Sequence, residues 1–205
     1  MHSSDRFEHL VDQTTGTQPW RRIVHAVNGI TFASILTFWP YSEATAIVLL
    51  TGAVAALLLL DALRLRLRRL NACFFRVFNR LASPREADHI ASSTWYMLGI
   101  TLAVVLSPTW AAVSGILVLA LADPTASYVG RRWGRRPFLG GSMEGSAVFF
   151  LVTLAVLLPR HPWAVALAVA LPITVLERRA WPLDDNLAIP VACSVLLHWL
   201  EGQPF

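Results

Sequence analysis

The sequence predicts an all-α protein, a polytopic membrane helix bundle with about seven transmembrane helices. Its 205 residues are 55% hydrophobic and 15% charged, whereas charged residues make up about a quarter of an ordinary soluble domain. The mean hydropathy of +0.53 points the same way. Apolar runs also recur along the whole chain, separated by short polar segments. Together these observations favour helices embedded in lipid over a single soluble core.

Seven apolar runs are the candidates for the spans. Several are slightly shorter than the roughly 20 residues that cross a bilayer. The polar residues at their edges bring them to that length. In chain order the runs are Ile23–Trp39, Ala44–Leu60, Ile90–Leu106, Trp110–Val129, Ala147–Leu158, Trp163–Leu176 and Leu187–Leu200.

The distribution of Arg orients the predicted bundle with its N-terminus inside and its C-terminus outside. All 17 basic residues are Arg, and the sequence has no Lys. With this orientation only Arg160 falls outside, and every other Arg lies in an internal segment, as the positive-inside rule requires. The absence of Lys also excludes a Walker A loop, the protein-kinase Lys and a Schiff-base mechanism in this chain.

Two segments outside the runs complete the organisation. Residues 1–20 are expected to form a polar cytoplasmic tail, and residues 21–205 a single integral membrane domain. The first run contains His25 and Asn28 and lacks a small-x-small cleavage pattern, so we do not expect a signal peptide. Between spans 2 and 3, Ala62–Ala82 has apolar residues at helical spacing with Arg among them. This pattern predicts an interfacial amphipathic helix on the anionic inner leaflet, although a loop that only fixes topology fits it too.

Under this topology the odd-numbered spans begin at the cytoplasmic surface, and their first turns are polar. Four helix N-termini then face the side that contains nucleotides, and a helix N-terminus attracts anions. Carboxylates next to Arg suit Mg²⁺ and phosphate together, because the acids hold the metal and Arg neutralises the remaining oxygens. The residues of these turns are Arg21, Arg22 and His25; Asp88 and His89; Ser142 and Glu144; and Asp184, Asp185 and Asn186.

The Asp123-Pro124 pair is the sharpest single feature of the sequence. Pro removes a backbone donor and breaks a helix, while Asp is a favoured N-cap and Pro a favoured first helical residue. We therefore expect the fourth span to end near Ala122 and a short helix to run from Asp123 to Gly130. A carboxylate at a break inside the membrane boundary costs about a few kcal/mol unless it is paired or metal-bound, which favours a functional role. A structural cap bonded only to backbone is the alternative.

The loop that follows is rich in Gly and Arg. Its Gly residues permit close backbone approach, and its Arg residues supply fork-shaped donors for phosphate. For Arg131 and Arg132 a role in fixing topology is equally compatible with the pattern. The Gly residues are Gly130, Gly134, Gly140 and Gly141, and the other two Arg residues are Arg135 and Arg136.

Two helix starts beyond this loop carry further candidates. Ser142 has the position of an N-cap, and Glu144 lies in the first turn after it, an arrangement that ordinary capping also explains. Asp184 has the position of an N-cap for the last span. Asp185 and Asn186 then either reach inward to a metal or a ribose, or serve only in capping.

These residues together resemble the CTP-dependent lipid-alcohol kinases, a family that includes dolichol kinase, phytol kinase and the CTP-dependent diacylglycerol kinases. The resemblance covers about Trp20 to Pro190, and the ordered set of motifs is far more specific than any one of them. The similar segments are Arg21-Arg22-Ile23-Val24-His25, Thr94-Trp95-Tyr96-Met97-Leu98-Gly99, Ala122-Asp123-Pro124-Thr125-Ala126 with Gly130 and Gly134, Ser142-x-Glu144-Gly145, and Asp185-Asn186 with Ile189-Pro190.

Two positions depart from the family's pattern. Gly141 stands where the family commonly has Lys before the Ser, and Ala122 stands where it commonly has Gly before the Asp. Arg135 and Arg136 are the candidates to replace the missing Lys.

The resemblance implies transfer of the γ-phosphoryl group of CTP, or of another nucleoside triphosphate, to a membrane-embedded lipid alcohol such as a polyprenol, a phytol-type isoprenoid or diacylglycerol. It implies Mg²⁺ as cofactor, membrane lipids as surroundings and no nucleic acid as partner. Asp123, Glu144 and Asp185 are the implied catalytic residues, and Asp123 and Asp185 also the metal ligands. The implied nucleotide-binding residues are Arg21, Arg22, His25, Gly130, Gly134, Arg135, Arg136, Ser142, Gly145 and Asn186.

The sequence leaves two alternatives open. The phosphatidate cytidylyltransferases, a related membrane family, have a similar motif pattern and use the same nucleotide, but they transfer its cytidylyl part to a lipid phosphate. A non-enzymatic multi-span transporter or scaffold would keep its function in Asp123→Asn.

The composition, dominated by Leu, Ala and Arg, suggests a GC-rich bacterial genome. We therefore expect a bacterial inner-membrane protein whose active site faces the cytoplasm.

Overall fold

The computed structural model describes residues 3–16, 18–38, 40, 42–178 and 183–202. Within these ranges the chain is almost entirely α-helical, so the predicted all-α fold is confirmed. A 3-10 helix covers Pro84–Ala87, and a short antiparallel hairpin pairs β1 (Pro137–Phe138) with β2 (Gly141–Ser142). The α-helices are α1 (Ser3–Asp12), α2 (Pro19–Phe38), α3 (Glu43–Arg66), α4 (Arg68–Val77), α5 (Ser92–Leu106), α6 (Thr109–Trp133), α7 (Met143–Leu157), α8 (Trp163–Arg178) and α9 (Asp185–Glu201).

Each of the seven apolar runs is covered almost entirely by a separate helix, namely α2, α3 and α5 to α9. Among the described helices, α3 and α6 are the two that are long and apolar enough to cross a membrane, and α5 and α7 are shorter apolar helices. The crossing of all seven runs and the N-in, C-out orientation therefore stay predictions. Trp39, which ends the first run, and Arg179, which contributes to the charge asymmetry, lie outside the described residues.

The prediction of a helix break at Asp123 is wrong. α6 continues through Pro124 to Trp133, and its C-cap Gly134 donates its backbone N–H to the carbonyl oxygen of Gly130. Pro124 is buried, and a Pro inside a membrane helix is tolerated where neighbouring groups pack around it and satisfy the freed backbone. Asp123 therefore lies on one face of a continuous helix and does not cap a new one.

The predicted amphipathic segment divides between two helices. Residues up to Arg66 continue α3, Leu67 is extended with φ −111° and ψ 98°, and α4 begins at Arg68. The prediction of one helix over Ala62–Ala82 is therefore wrong at its start. An amphipathic helix between the second and third runs is nevertheless present, because α4 buries Asn71 and Phe75 and exposes its Arg residues. Its place at the inner leaflet stays a prediction.

The helix α6 lies at the centre of the bundle. It packs against α2, α7 and α9, and α9 also packs against α5 and α8. Small residues allow the closest crossings: a Cβ added to Gly115 would lie 2.6 Å from the carbonyl oxygen of Pro190, and one added to Gly99 would overlap the carbonyl oxygen of Asn186. Such contacts between backbones are a main source of helix association in lipid. They hold the first turn of α9, with Asp185, against α5 and α6.

We expect Gly115→Ala to destabilise the bundle, because the added methyl group would meet the Pro190 carbonyl oxygen and force α6 away from α9. Overpacking of this kind costs about 1–3 kcal/mol, which lowers the melting temperature of the detergent-solubilised protein. Gly52→Ala is the matched control: nothing lies within 4 Å of a Cβ added there, and Ala is the better helix former. Equal melting temperatures for the two variants would contradict the close crossing.

Candidate active site

Two adjoining cavities lie at the end of the bundle that the sequence predicted to be cytoplasmic. The larger has a volume of about 850 Å³ and the smaller about 510 Å³. Both sizes fall within the range of small-molecule sites. The two cavities share part of their lining, so any group bound to this common wall is accessible from both. The common wall consists of Asp123, Ser127 and Arg131 of α6 and Asp185 of α9.

The larger cavity is lined by the candidate site residues that α2 contributes. Arg21 donates from Nη2 to Ser92 Oγ over 2.6 Å, and its Nη1 lies 3.5 Å from Glu86 Oε1. Ser92 Oγ in turn donates to Glu86 Oε1 over 2.9 Å. Arg22 and Asn186 line the same cavity. The basic start of α2 is thus held in place by a buried carboxylate and keeps guanidinium groups at the cavity wall.

His25 joins α2 to α6 next to Asp123. Its Nε2 lies 3.2 Å from the carbonyl oxygen of Leu119 and 3.9 Å from Asp123 Oδ2. The ring of Tyr96 packs edge-on against the imidazole, and its hydroxyl donates to the carbonyl oxygen of His25 over 3.1 Å. The Asp123 side chain keeps 30% of its surface exposed, so it remains reachable from the cavities.

The smaller cavity is lined by the loop that is rich in Gly and Arg, including Arg135 and Arg136. Its glycines approach Ser142 closely: a Cβ added to Gly130 or Gly134 would lie 3.2 or 2.7 Å from Ser142 Oγ. The close backbone approach predicted for these glycines is therefore made to the hairpin. It lets β2 lie against the end of α6, which brings the start of α7 to the cavity.

Ser142 caps α7 as predicted, since its Oγ accepts a hydrogen bond from the backbone N–H of Gly145 over 3.1 Å. In the described part of the chain, Glu144 and Gly145 line neither cavity. Glu144 Oε2 instead accepts from the backbone N–H groups of Arg135 at 3.1 Å and Arg136 at 3.4 Å. Hydrogen bonds from its own N–H and from these two lower the pKa of Glu144, which precedes the apolar part of α7. Its contacts therefore position the Arg loop.

The start of α9 presents the second carboxylate of the common wall. Asp184 caps the helix as predicted: its Oδ1 accepts from the backbone N–H of Asn186 at 3.1 Å and from its Nδ2 at 2.7 Å. Asp184 thereby holds the Asn186 side chain in place. Asp185 lines both cavities, as Asp123 does.

Asp123 and Asp185 fit a Mg²⁺ site that phosphate would complete. No group of three or more His, Cys, Asp or Glu side chains suited to a metal ion occurs among residues the structure describes. Mg²⁺ is usually bound by one or two carboxylates together with substrate phosphates and water, and a dedicated protein cage is not needed. Two hard oxygen donors from separate helices on a shared cavity wall match that requirement.

Sequence reasoning missed Arg178, at the end of α8. It lines the smaller cavity together with Glu177, and its Nε lies 2.6 Å from Glu177 Oε2. A Cβ added to Gly141 would overlap its Nη1 and lie 2.9 Å from its Cζ. The sequence offered Arg135 or Arg136 as the replacement for the cation missing at residue 141, and that stays a prediction; the space next to residue 141 is occupied by the guanidinium group of Arg178. The only signal in the sequence was the absence of a side chain at Gly141.

Arg64 also has a different place from the one predicted. The sequence predicted that it lies on an interfacial helix at the inner leaflet, whereas its side chain is 6% exposed and its Nε lies 2.5 Å from Asp61 Oδ1. Arg64 lies in the last turn of α3, and its ion pair with Asp61 holds the guanidinium group in a buried position.

A second polar cluster lies at the other end of the bundle, where it joins α6, the α7–α8 connection and α9. Ser114 Oγ lies 2.9 Å from His161 Nε2, and His161 Nδ1 lies 2.7 Å from Glu201 Oε1. The order of groups matches a nucleophile, its base and an orienting acid. Ser114 is, however, fully buried and donates to the carbonyl oxygen of Trp110. The cluster therefore clamps α6, the α7–α8 connection and α9 together, out of reach of a substrate.

Comparisons with known proteins identify the kind of enzyme. No family model matches the chain, and no solved structure matches it. The chain is 31% identical over 150 residues to "CTP-dependent diacylglycerol kinase 1" of Schizosaccharomyces pombe, a match that covers 61% of this chain and 69% of that protein. Helical architecture, a charged site and this similarity together define a membrane enzyme that phosphorylates lipids.

The chain belongs to the family of CTP-dependent lipid kinases. The predicted resemblance is thereby confirmed, and the non-enzymatic transporter or scaffold is excluded as an interpretation.

Proposed function

We propose that the protein transfers the γ-phosphoryl group of CTP to the hydroxyl group of diacylglycerol within the membrane, with Mg²⁺ as cofactor. One observation carries the proposal: Asp123 and Asp185, from two different helices, line two adjoining cavities whose walls also hold several Arg side chains. The name of the similar yeast kinase supports both CTP as donor and diacylglycerol as acceptor.

In the proposed arrangement the phosphates of CTP lie along the common wall of the two cavities. Arg131 faces both cavities, with Arg135 and Arg136 on the smaller side and Arg21 and Arg22 on the larger. Guanidinium groups bind phosphate oxygens through paired N–H donors. The capped start of α7 adds a helix N-terminus, which also favours an anion.

The reaction requires positioning and charge neutralisation more than covalent chemistry. The lipid hydroxyl oxygen attacks the γ-phosphorus in line, the bond from that phosphorus to the bridging oxygen breaks, and CDP leaves. Asp123 orients the hydroxyl group and accepts its proton. Asp123 and Asp185 would together hold Mg²⁺, which would neutralise charge on the phosphoryl oxygens. The Arg side chains stabilise the negative charge that grows on CDP.

Isotope transfer separates this kinase reaction from the cytidylyltransferase alternative. We expect purified protein in lipid–detergent micelles to label diacylglycerol from γ-labelled CTP and to label no lipid from α-labelled CTP. The assay offers diacylglycerol, a polyprenol, phytol and phosphatidate in parallel, with ATP replacing CTP in a second series and EDTA in a third. Label entering a lipid from the α-position would overturn the proposal, and equal labelling of all alcohols would remove diacylglycerol as the preferred acceptor.

A further inference from the structure

The guanidinium group of Arg178 lies over the first turn of α7. A Cβ added to Gly141 would overlap its Nη1, and one added to Gly145 would lie 2.9 Å from its Nη2. The two ends of the guanidinium fork therefore lie next to residues on either side of the N-cap Ser142. The absence of side chains at these two glycines leaves the space that the guanidinium fills.

This placement brings like charges together. The Arg178 side chain is 13% exposed, and it lies at the positive end of α7, where a cation is unfavourable. Arg131, Arg135 and Arg136 line the same cavity. The Oε2 atom of Glu177 lies 2.6 Å from Nε of the group. An anion in the smaller cavity, next to both the guanidinium group and the helix N-terminus, would interact favourably with both, since each binds phosphate oxygens.

The geometry points to Arg178 as a phosphate-binding residue of the nucleotide site, placed by α8 in the space that a side chain at residue 141 would fill. This inference rests on the proposed function of the same site. It assigns to α8, which sequence reasoning left without a role, the task of holding the triphosphate together with the Arg loop.

Kinetics with the purified protein test the assignment. We expect Arg178→Gln to raise the KM for CTP and the inhibition constant of CDP by about 10–100-fold, the effect of losing a hydrogen bond to a charged group. The KM for diacylglycerol should stay unchanged, which a general loss of structure would not produce. Arg178→Lys should retain part of the affinity. Arg160→Gln, which removes an exposed Arg at the other end of the bundle, is the matched control and should behave as wild type.

A second variant displaces the guanidinium without removing its charge. Gly141→Ala should raise the KM for CTP in the wild-type background, because the methyl group takes the place of Nη1. In the Arg178→Gln background the same change should have no further effect, since residues that act through one contact are not additive. Additive effects of the two substitutions would overturn the inference. This comparison of the single and double substitutions also tests the inference if Arg178→Gln melts at a lower temperature than wild type.

Failure of this inference is distinguishable from failure of the proposed function. If wild-type protein transfers γ-label to lipid while Arg178→Gln and Gly141→Ala keep the wild-type KM for CTP, only the role of Arg178 is wrong. If wild-type protein transfers no γ-label, the proposed reaction is wrong. Equilibrium dialysis with labelled CTP then still tests Arg178: weaker binding to Arg178→Gln than to Arg160→Gln supports the role, and equal binding overturns it.

Discussion

Asp123→Asn is expected to lower the rate of γ-phosphoryl transfer by about 10²–10³-fold, the usual cost of removing one group that stabilises charge in a transition state. Asp123 lines both cavities and is the carboxylate at the centre of the proposed site. Asn has nearly the same shape but neither accepts the hydroxyl proton nor supplies a charged metal ligand. We therefore expect kcat to fall and the Mg²⁺ concentration for half-maximal rate to rise.

The fold should tolerate this substitution. The close polar partner of Asp123 is His25, 3.9 Å from Oδ2, and the imidazole keeps its contact with the Leu119 carbonyl oxygen. Melting temperature and elution volume should match those of wild type. Asp12→Asn, at an exposed residue of α1, controls for the loss of one negative charge. Wild-type turnover in Asp123→Asn would remove this residue from the mechanism and with it the proposed site.

Arg64→Ala is expected to have the largest effect on stability. Its guanidinium donates to Asp61 Oδ1 at 2.5 Å, to Asn71 Oδ1 at 3.0 Å, and to the carbonyl oxygens of Glu86 at 2.6 Å and His89 at 2.7 Å. One side chain thus satisfies buried acceptors on α3, α4 and the segment before α5. Removing one partner of a buried ion pair costs about 3–5 kcal/mol, because the other charge stays buried and unpaired.

The loss of the Arg64 side chain should also affect the active site. Asp61 Oδ2 also accepts from the backbone N–H of Ala91 at 3.1 Å and from Thr94 Oγ1 at 2.6 Å, so losing Arg64 disturbs the start of α5. That start carries Ser92, which holds Glu86 and Arg21 at the wall of the larger cavity. We therefore expect Arg64→Ala to lower both the melting temperature and the activity.

Thermal unfolding in detergent, followed by circular dichroism, measures the effect of Arg64→Ala. Arg66→Ala is the matched control, because Arg66 lies in the same helix but is exposed. Equal melting temperatures for Arg64→Ala and Arg66→Ala would show that the hydrogen bonds of Arg64 contribute little to stability. A drop confined to Arg64→Ala would show that the Arg residues between the second and third runs have different tasks, which their uniform appearance in the sequence hides.

Local sequence signals predicted the helices well and their interruptions poorly. The caps at Ser142 and Asp184 were predicted because a cap depends on residues within one turn. The break at Asp123 was predicted from local preference too, but packing around the buried Pro124 kept α6 continuous. Arg64 was assigned to the headgroups because a sequence pattern does not distinguish an Arg facing lipid from one facing a buried carboxylate.

The apolar runs and the motifs by themselves determined the helical architecture, the kind of enzyme and most of the candidate residues. Helix formation in lipid is a local matter, since each backbone polar group must find its partner within its own segment, and it can therefore be read from the order of residues. Only the tertiary structure decided which polar side chains meet. The common wall of Asp123 and Asp185 and the place of Arg178 over Gly141 depend on how helices distant in sequence cross, and those crossings are set by packing between side chains and backbones that no single segment contains.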